Sequence, residues 1–323
     1  MRFTADLRSL YNPIQPTVKQ SAEQVRYKEF LPHSELQPFI YCYWQLNTTN
    51  ELSEPFTYRV VADGCIDIYF ELTNPVESYV MGFCRKFTEF QLDHTFNYVG
   101  IRFLPTMFPQ FFRIDAKALS DRYEKLQLVV PKIADFISDN FKETHSQEKI
   151  KSLLDNYFIG IMAKTQFEKD FRLYGALEVI LKNLGVIGVD KDLDVAISNR
   201  QLRRIFEYYI GATPKTFSQV VRFQNILKAK PLSKSLRENK LFYDGYFDQS
   251  HFIKEFKTFY GVTPSKSFWK IIVSVFYYFT YCCCAIFVPI TNREKYENII
   301  SRHSTGLLIN TCVFANKHTD QKS

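Results

Sequence analysis

Hydrophobic residues follow two different spacings along this chain. Between Phe39 and Leu104 they come in short aromatic and β-branched runs at 39–46, 56–61, 65–72, 79–83 and 98–104, separated by Asn, Asp, Gly and Pro. Runs of that length and make-up predict a mainly antiparallel sheet or small barrel. Asp63-Gly64 falls between two of them and reads as a hairpin signal. Beyond Pro105 the period becomes helical. A short helix is expected at 109–114, amphipathic helices at 132–141 and 146–158, and a longer one over 163–184 that Gly185 and Gly188 interrupt. Residues 1–30 are polar and broken by Pro13 and Pro16, a lead-in expected to pack on the β-rich part.

Further on, residues 245–264 form a capped unit. Gly245 supplies a turn, since glycine alone enters positive φ without a Cβ clash. Asp248 can cap the following helix. Phe252, Phe256 and Tyr260, four apart, make an apolar stripe, while Gln249, Ser250, Lys254 and Lys257 face outward as donors. Gly261 closes the helix, and Thr263-Pro264 is expected to open another. One such stretch is what any amphipathic surface helix looks like. A second copy lies fifty residues upstream: Ser198 corresponds to Asp248, Leu202 to Phe252, Arg204 to Lys254, Phe206 to Phe256, Gly211 to Gly261, and Thr213-Pro214 to Thr263-Pro264. A repeat of this kind marks a duplicated supersecondary unit. The outward face of the first copy holds Asn199, Arg200, Arg203 and Arg204. Between the copies, residues 215–229 read as one helix, with apolar positions at Phe217, Val220, Val221, Ile226 and Leu227 and a stop at Pro231.

Over residues 175–268 the paired units resemble the DNA-binding domain of AraC-family transcription regulators, in which two helix-turn-helix units are joined by one long helix. Ala196 stands where that family usually has a turn glycine. Residues 61–70, Val-Ala-Asp-Gly-Cys-Ile-Asp-Ile-Tyr-Phe, with Val99 to Pro105, look like the N-terminal domain attached to one subgroup of those regulators, with Ala62 in place of its usual proline. The resemblance implies an α+β protein: a mainly antiparallel β domain with helices over 1–165 for sensing or regulation, and an all-α reader of double-stranded DNA over 172–268. Its groove contacts fall on Asn199, Arg200, Arg203 and Arg204 in the first unit and on Gln249, Ser250, His251 and Lys254 in the second. Lys257 is placed on the backbone, and His251 either reads a base or bonds within the motif. Arg222 and Lys228 are expected at phosphates or in solvent. Further implied partners are RNA polymerase or other transcription machinery, a small-molecule effector at the N-terminal domain, and a second copy in a homodimer.

Charge distribution agrees with a nucleic-acid partner. Of the formal net charge of +7, residues 190–270 hold 15 Lys+Arg against 8 Asp+Glu, whereas residues 1–189 hold 21 against 23. A basic segment of this kind neutralises phosphates. The seven cysteines form neither a Cys-x-x-Cys pair nor a recognisable disulfide framework, so no metal or cofactor is read from them. The first ten residues lack a signal-peptide core, and the cytoplasm is the expected location. Asp63, Cys65, Asp67 and His94 leave open a thiol-based redox sensor or an enzyme in the N-terminal half, against the plainer reading of Cys65 as a small buried hydrophobe.

The last segment, 269–323, departs in texture. Residues 271–290 are 20 positions without a charge, long enough to span a bilayer. A membrane tether, a packing extension and an aberrant C-terminus are all compatible with it.

Overall fold

The computed structural model describes residues 7–16, 24–168, 170–189, 193, 196–229, 246 and 249–267. The expectations for Gly245, for Asp248 and for the 269–323 tail, including the tether at 271–290, lie outside the described residues. Among the described residues no helix is long and apolar enough to cross a membrane.

Among its described residues the β-rich half has eight strands: β1 (Val25–Phe30), β2 (Ile40–Thr48), β3 (Phe56–Val60), β4 (Ile66–Glu71), β5 (Ser78–Met81), β6 (Thr88–Leu92), β7 (Asn97–Phe103) and β8 (Tyr123–Lys125). Six of them form one antiparallel sheet in the order β1-β2-β7-β4-β5-β8, and β3 pairs with β6 in a separate two-stranded sheet. Alternation assigns the two faces. On β4, Ile66, Ile68 and Phe70 are buried in register with Phe103, Ile101 and Val99 of β7. That face packs under the helices. Asp67 and Tyr69 point to the opposite face, where Trp44, Leu46 and Tyr58 belong to a second, smaller core and β3/β6 lies across the sheet as a lid. Gly100 is what lets Trp44 lie flat here, because a Cβ at that position would collide with the indole.

The helices are α1 (Met107–Phe112), a 3-10 turn (Ala116–Leu119), α2 (Leu126–Val129), α3 (Pro131–Asn140), α4 (Gln147–Met162), α5 (Phe171–Lys182), α6 (Asn199–Ile210), α7 (Pro214–Ala229) and α8 (Gln249–Tyr260), followed by a 3-10 turn at Pro264–Lys266. This α+β architecture agrees with the expected class.

Several local expectations are corrected. Asp63-Gly64 is not a hairpin, because β3 and β4 belong to different sheets. It is a corner between them: Gly64 has φ 72, Asp63 Oδ1 accepts from the Cys65 amide at 3.0 Å, and Gln15 donates to Asp63 Oδ2 at 2.8 Å. The helix expected over 163–184 begins only at Phe171, after Asp170 caps it by accepting from the Arg172 amide. Phe167 instead turns inward onto Phe39 and Phe111, at ring distances of 4.5 and 5.3 Å. Thr263-Pro264 opens a single 3-10 turn in place of a helix. Strands β1, β6 and β8 were not foreseen: their charged and polar residues suit an edge or a lid, and on β6 the alternation of Phe90 and Leu92 with Glu89 and Gln91 is only two apolar residues long.

Between the sheet faces sits a buried charge cluster. Arg102, 1% exposed, donates from Nη2 to Asp67 Oδ2 at 2.9 Å and approaches Asp63 Oδ2 at 3.4 Å and Glu29 Oε1 at 3.7 Å. Trp44 Nε1 donates to the same Asp67 oxygen at 2.9 Å. Burial pushes the Asp67 carboxyl up to about 6, although Arg102 pulls it the other way. Replacing Arg102 by methionine leaves these carboxylates without their countercharge and is expected to cost about 3–5 kcal/mol. Urea denaturation measures this, and adding Asp67→Asn in the same chain should return part of the loss.

Candidate nucleic-acid interface

The chain enters α6 through Ala196, which takes a left-handed turn conformation with φ 57. Ser198 then caps the helix in a full capping box, its Oγ accepting from the Gln201 amide while Gln201 Oε1 accepts from the Ser198 amide. Leu202, Phe206 and Ile210 are buried. Asn199, Arg200, Arg203 and Arg204 are all exposed. Arg203 Nε donates to Glu207 Oε1 at 3.2 Å. Glu207 also receives Lys117 Nζ at 2.8 Å, and that ammonium holds its carboxyl below the usual carboxylate range. Gly211, with φ 89, ends the helix. Ser120 donates to the Gly211 carbonyl at 2.6 Å, so the C-terminal end of α6 is fastened to the β domain.

In the second unit α8 buries Phe256, Phe259 and Tyr260 and half-buries Phe252, with Phe252–Phe256 and Phe256–Tyr260 ring distances of 5.9 and 5.1 Å. Ser250, His251, Lys254 and Lys257 are exposed. Gln249 opens the helix. The His251 ring stands edge-on to Tyr246 at 5.4 Å, with Nε2 4.0 Å from Glu255 Oε2.

The residue that sets the pose of α8 is Glu255, which the hydrophobic periodicity does not single out. Only 7% exposed, it accepts from Arg222 Nη2 at 2.8 Å on both oxygens, from Gln219 at 3.1 Å and from Tyr246 OH at 2.7 Å. The Arg222 guanidinium lies 4.2 Å over the Tyr246 ring. Burial alone would lower the Arg222 pKa, but Tyr246 and Glu255 outweigh it and raise it. Arg222 is therefore a clamp between α7 and α8, and the expectation that it meets phosphate or solvent is corrected. The available signal was an acid beside Phe256 on the apolar side of α8 and an arginine between Val221 and Phe223 on α7.

Two backbone bonds tie α8 to the lid of the β domain. The Ala62 amide, just past β3, donates to the Phe259 carbonyl at 3.2 Å, and the Phe87 amide, just before β6, donates to the Thr258 carbonyl at 3.1 Å. Beneath the lid is a cavity of about 340 Å³ lined by Trp44, Tyr58, Asp67, Tyr69, Phe90 and Tyr98 among others.

The thiols have the opposite of a reactive environment. Cys42, Cys65 and Cys84 are buried and free. Burial pushes Cys84 up to about 12 and raises Cys65 and Cys42 as well, keeping the nucleophilic thiolate unpopulated at neutral pH.

Comparison with known families places a helix-turn-helix domain over residues 194–268 and a domain of unknown function, DUF6597, over residues 28–125. Residues 194–268 are thus a helix-turn-helix domain of the AraC type, a DNA-binding module of transcription regulation. A search of curated proteins gave no match. Among solved structures, an apo ToxT point variant from Vibrio cholerae strain SCE256 is similar at 13% identity and a TM-score of 0.37, covering 69% of this chain and 96% of that one. ToxT from Vibrio cholerae O395 gives 13% and 0.34 over 76% and 97%. Unsaturated fatty acid bound wild-type ToxT from strain SCE256 gives 11% and 0.35 over 77% and 96%. At such TM-scores the likeness carries no conclusion about this chain.

Glu255→Ala strands the buried Arg222 guanidinium and is expected to cost about 3–5 kcal/mol in urea denaturation. Ala196→Gly should do the reverse, stabilising by about 0.5–1 kcal/mol, since relief of the left-handed strain exceeds the added chain entropy of glycine. A loss of stability on Ala196→Gly would show that the turn is not strained.

Proposed function

We propose that this chain is a sequence-specific transcription regulator of the AraC type, reading two adjacent major-groove segments of double-stranded DNA through α6 and α8. The observation behind this reading is the pairing of two amphipathic helices on one buried helix, α7, each presenting an exposed row of cationic and polar side chains. Arg200, Arg203 and Arg204 supply donors suited to guanine, and Ser250, His251 and Lys254 supply those of the second unit. Gln249 stands at the start of α8, and glutamine pairs with adenine. Asn199 opens α6. Lys257, one turn after Lys254, is assigned to the phosphate backbone. The protein works where the DNA is, in the cytoplasm.

The β domain is the regulatory half. Its lid touches α8 directly and covers an aromatic cavity, an arrangement suited to a small-molecule effector.

Selection of bound duplexes from a random pool tests the reading. Two half-elements about one helical turn, roughly 34 Å, apart are expected; recovery of a single short element means that only one unit reads. Arg203→Ala and Lys254→Ala should each cost about 1–3 kcal/mol of binding and relax preference at one position. An equal loss on every sequence reassigns that residue to phosphate.

A further inference from the structure

We propose that the cavity under the β3/β6 lid binds an organic cation, an aromatic amine or quaternary ammonium, between tyrosine faces and the Asp67 carboxylate. That the ligand acts as an effector rests on the regulator reading above; its chemical class rests on the cavity alone.

Seven of the lining side chains are aromatic: Trp44, Tyr58, Tyr69, Tyr79, Phe90, Tyr98 and Tyr123. All but Trp44 are joined by ring contacts, Tyr58 through Phe90 at 6.4 Å. Tyr69 stacks on Tyr79 at 5.5 Å and meets Phe90 and Tyr98 at 6.2 and 6.3 Å, while Tyr123 closes on Tyr79 and Phe90 at 5.9 and 5.5 Å. The π-faces of such rings attract cations. One wall already does so within the chain, with Lys125 Nζ 4.8 Å from the centroid of the Tyr79 ring.

The charges around the cavity point the same way. Among the described lining residues the charged groups are Asp67, Glu89 and Arg102. Glu89 is paired with Arg59 at 2.6 Å on the lid. At the floor, three carboxylates, of Asp67, Asp63 and Glu29, surround the single guanidinium of Arg102, leaving an excess of negative charge. The Asp67 side chain keeps 13% exposure against 1% for Arg102, so the carboxylate is the more accessible partner. Arg102 Nη1 makes no hydrogen bond but is sealed from solvent, where a ligand carboxylate could reach it only by displacing the floor. Buried apolar surface and a carboxylate that burial already destabilises as an anion are both relieved by a flat cation.

The test is titration of the full chain, followed by calorimetry and by tryptophan fluorescence in a Trp269→Phe background so that Trp44 alone reports, with three probes of one size: benzyltrimethylammonium, its uncharged isostere neopentylbenzene, and 3-phenylpropionate. The cation is expected to bind saturably and about tenfold or more tighter than either of the others. Tyr69→Leu, which keeps the cavity apolar, should weaken the cation about tenfold and leave the isostere nearly unchanged. Asp67→Asn should weaken the cation likewise. If that variant fails to fold because Arg102 loses its partner, Tyr79→Leu replaces it with the same expectation. Equal or tighter binding of the neutral or anionic probe overturns the proposal, as does the absence of saturable binding by all three. DNA selection on the same preparation without ligand reads out the regulator function separately, so either conclusion can fail while the other stands.

Discussion

Helix α7 leaves almost no face to solvent, and the packing of the described structure depends on that burial. Phe217, Val220, Val221, Phe223, Ile226 and Leu227 are each at most 1% exposed. Each such side chain contributes roughly 1.5–3 kcal/mol when withdrawn from water. A helix apolar over so wide an arc needs cover from several directions. Phe206 of α6 meets Phe217 at 6.3 Å, Phe256 and Phe259 of α8 meet Phe223 at 5.6 and 5.3 Å, and Tyr11 of the lead-in reaches Phe217 at 6.1 Å. Helices α6 and α8 and the β domain thus share one hydrophobic core, and none can leave α7 without opening it.

Apolar burial alone does not define how those pieces are oriented; the buried polar groups do. Gln224, 2% exposed, sits on α7 and accepts from the Ile14 amide at 2.7 Å while donating to the Ala62 carbonyl at 2.8 Å. A shift of α7 against the β domain would leave that amide unsatisfied in an apolar setting, at a cost of about 1–3 kcal/mol. Glu255 does for α8 what Gln224 does for the β domain, with the difference that its partner is charged and bidentate. Arg102 plays the corresponding part inside the β domain, holding the corner at Asp63 to the strand at Asp67. Each of these groups adds little net stability over an apolar replacement of the same shape, but each penalises the wrong arrangement.

How far the chain could be read in advance follows from the same division. Strands β2, β4 and β7 carry dense apolar residues and were legible. Strand β1 has Arg26, Lys28 and Glu29 spread over both faces, and β6 offers only Phe90 and Leu92 between polar residues, too short a pattern to stand out. Asp63-Gly64 has the local chemistry of a hairpin, yet turn chemistry reports only the bend and says nothing about which sheet the next strand joins. In α6 and α8 the apolar stripe was legible, and its complement is the face on which Arg200, Arg203, Arg204, Ser250, Lys254 and Lys257 stand exposed. Glu255 and Arg222 were not legible because a single charge reads as solvated until the partner across the interface is known. The cavity was hidden for a similar reason: its walls come from strands far apart in sequence, β2, β3, β4, β6 and β7 among them.

The position of the lid connects these features. Among the described residues strands β3 and β6 pair only with each other, and no described strand holds them to the six-stranded sheet. Their inner faces, through Tyr58 and Phe90, close the cavity, while the residues at one end of the pair, Ala62 and Phe87, donate to the last carbonyls of α8. Carbonyls at a helix C-terminus lack intrahelical partners, so these two bonds satisfy α8 and anchor the lid at once. A hydrogen bond tolerates only a few tenths of an ångström of lengthening before it weakens. A lid displaced further than that, by whatever fills the space beneath it, must either take the end of α8 along or leave the Phe259 and Thr258 carbonyls unpaired. Glu255 holds the same helix to α7 from its other side, so α8, on which Ser250, Lys254 and Lys257 stand exposed, is fixed at once to the core and to the lid.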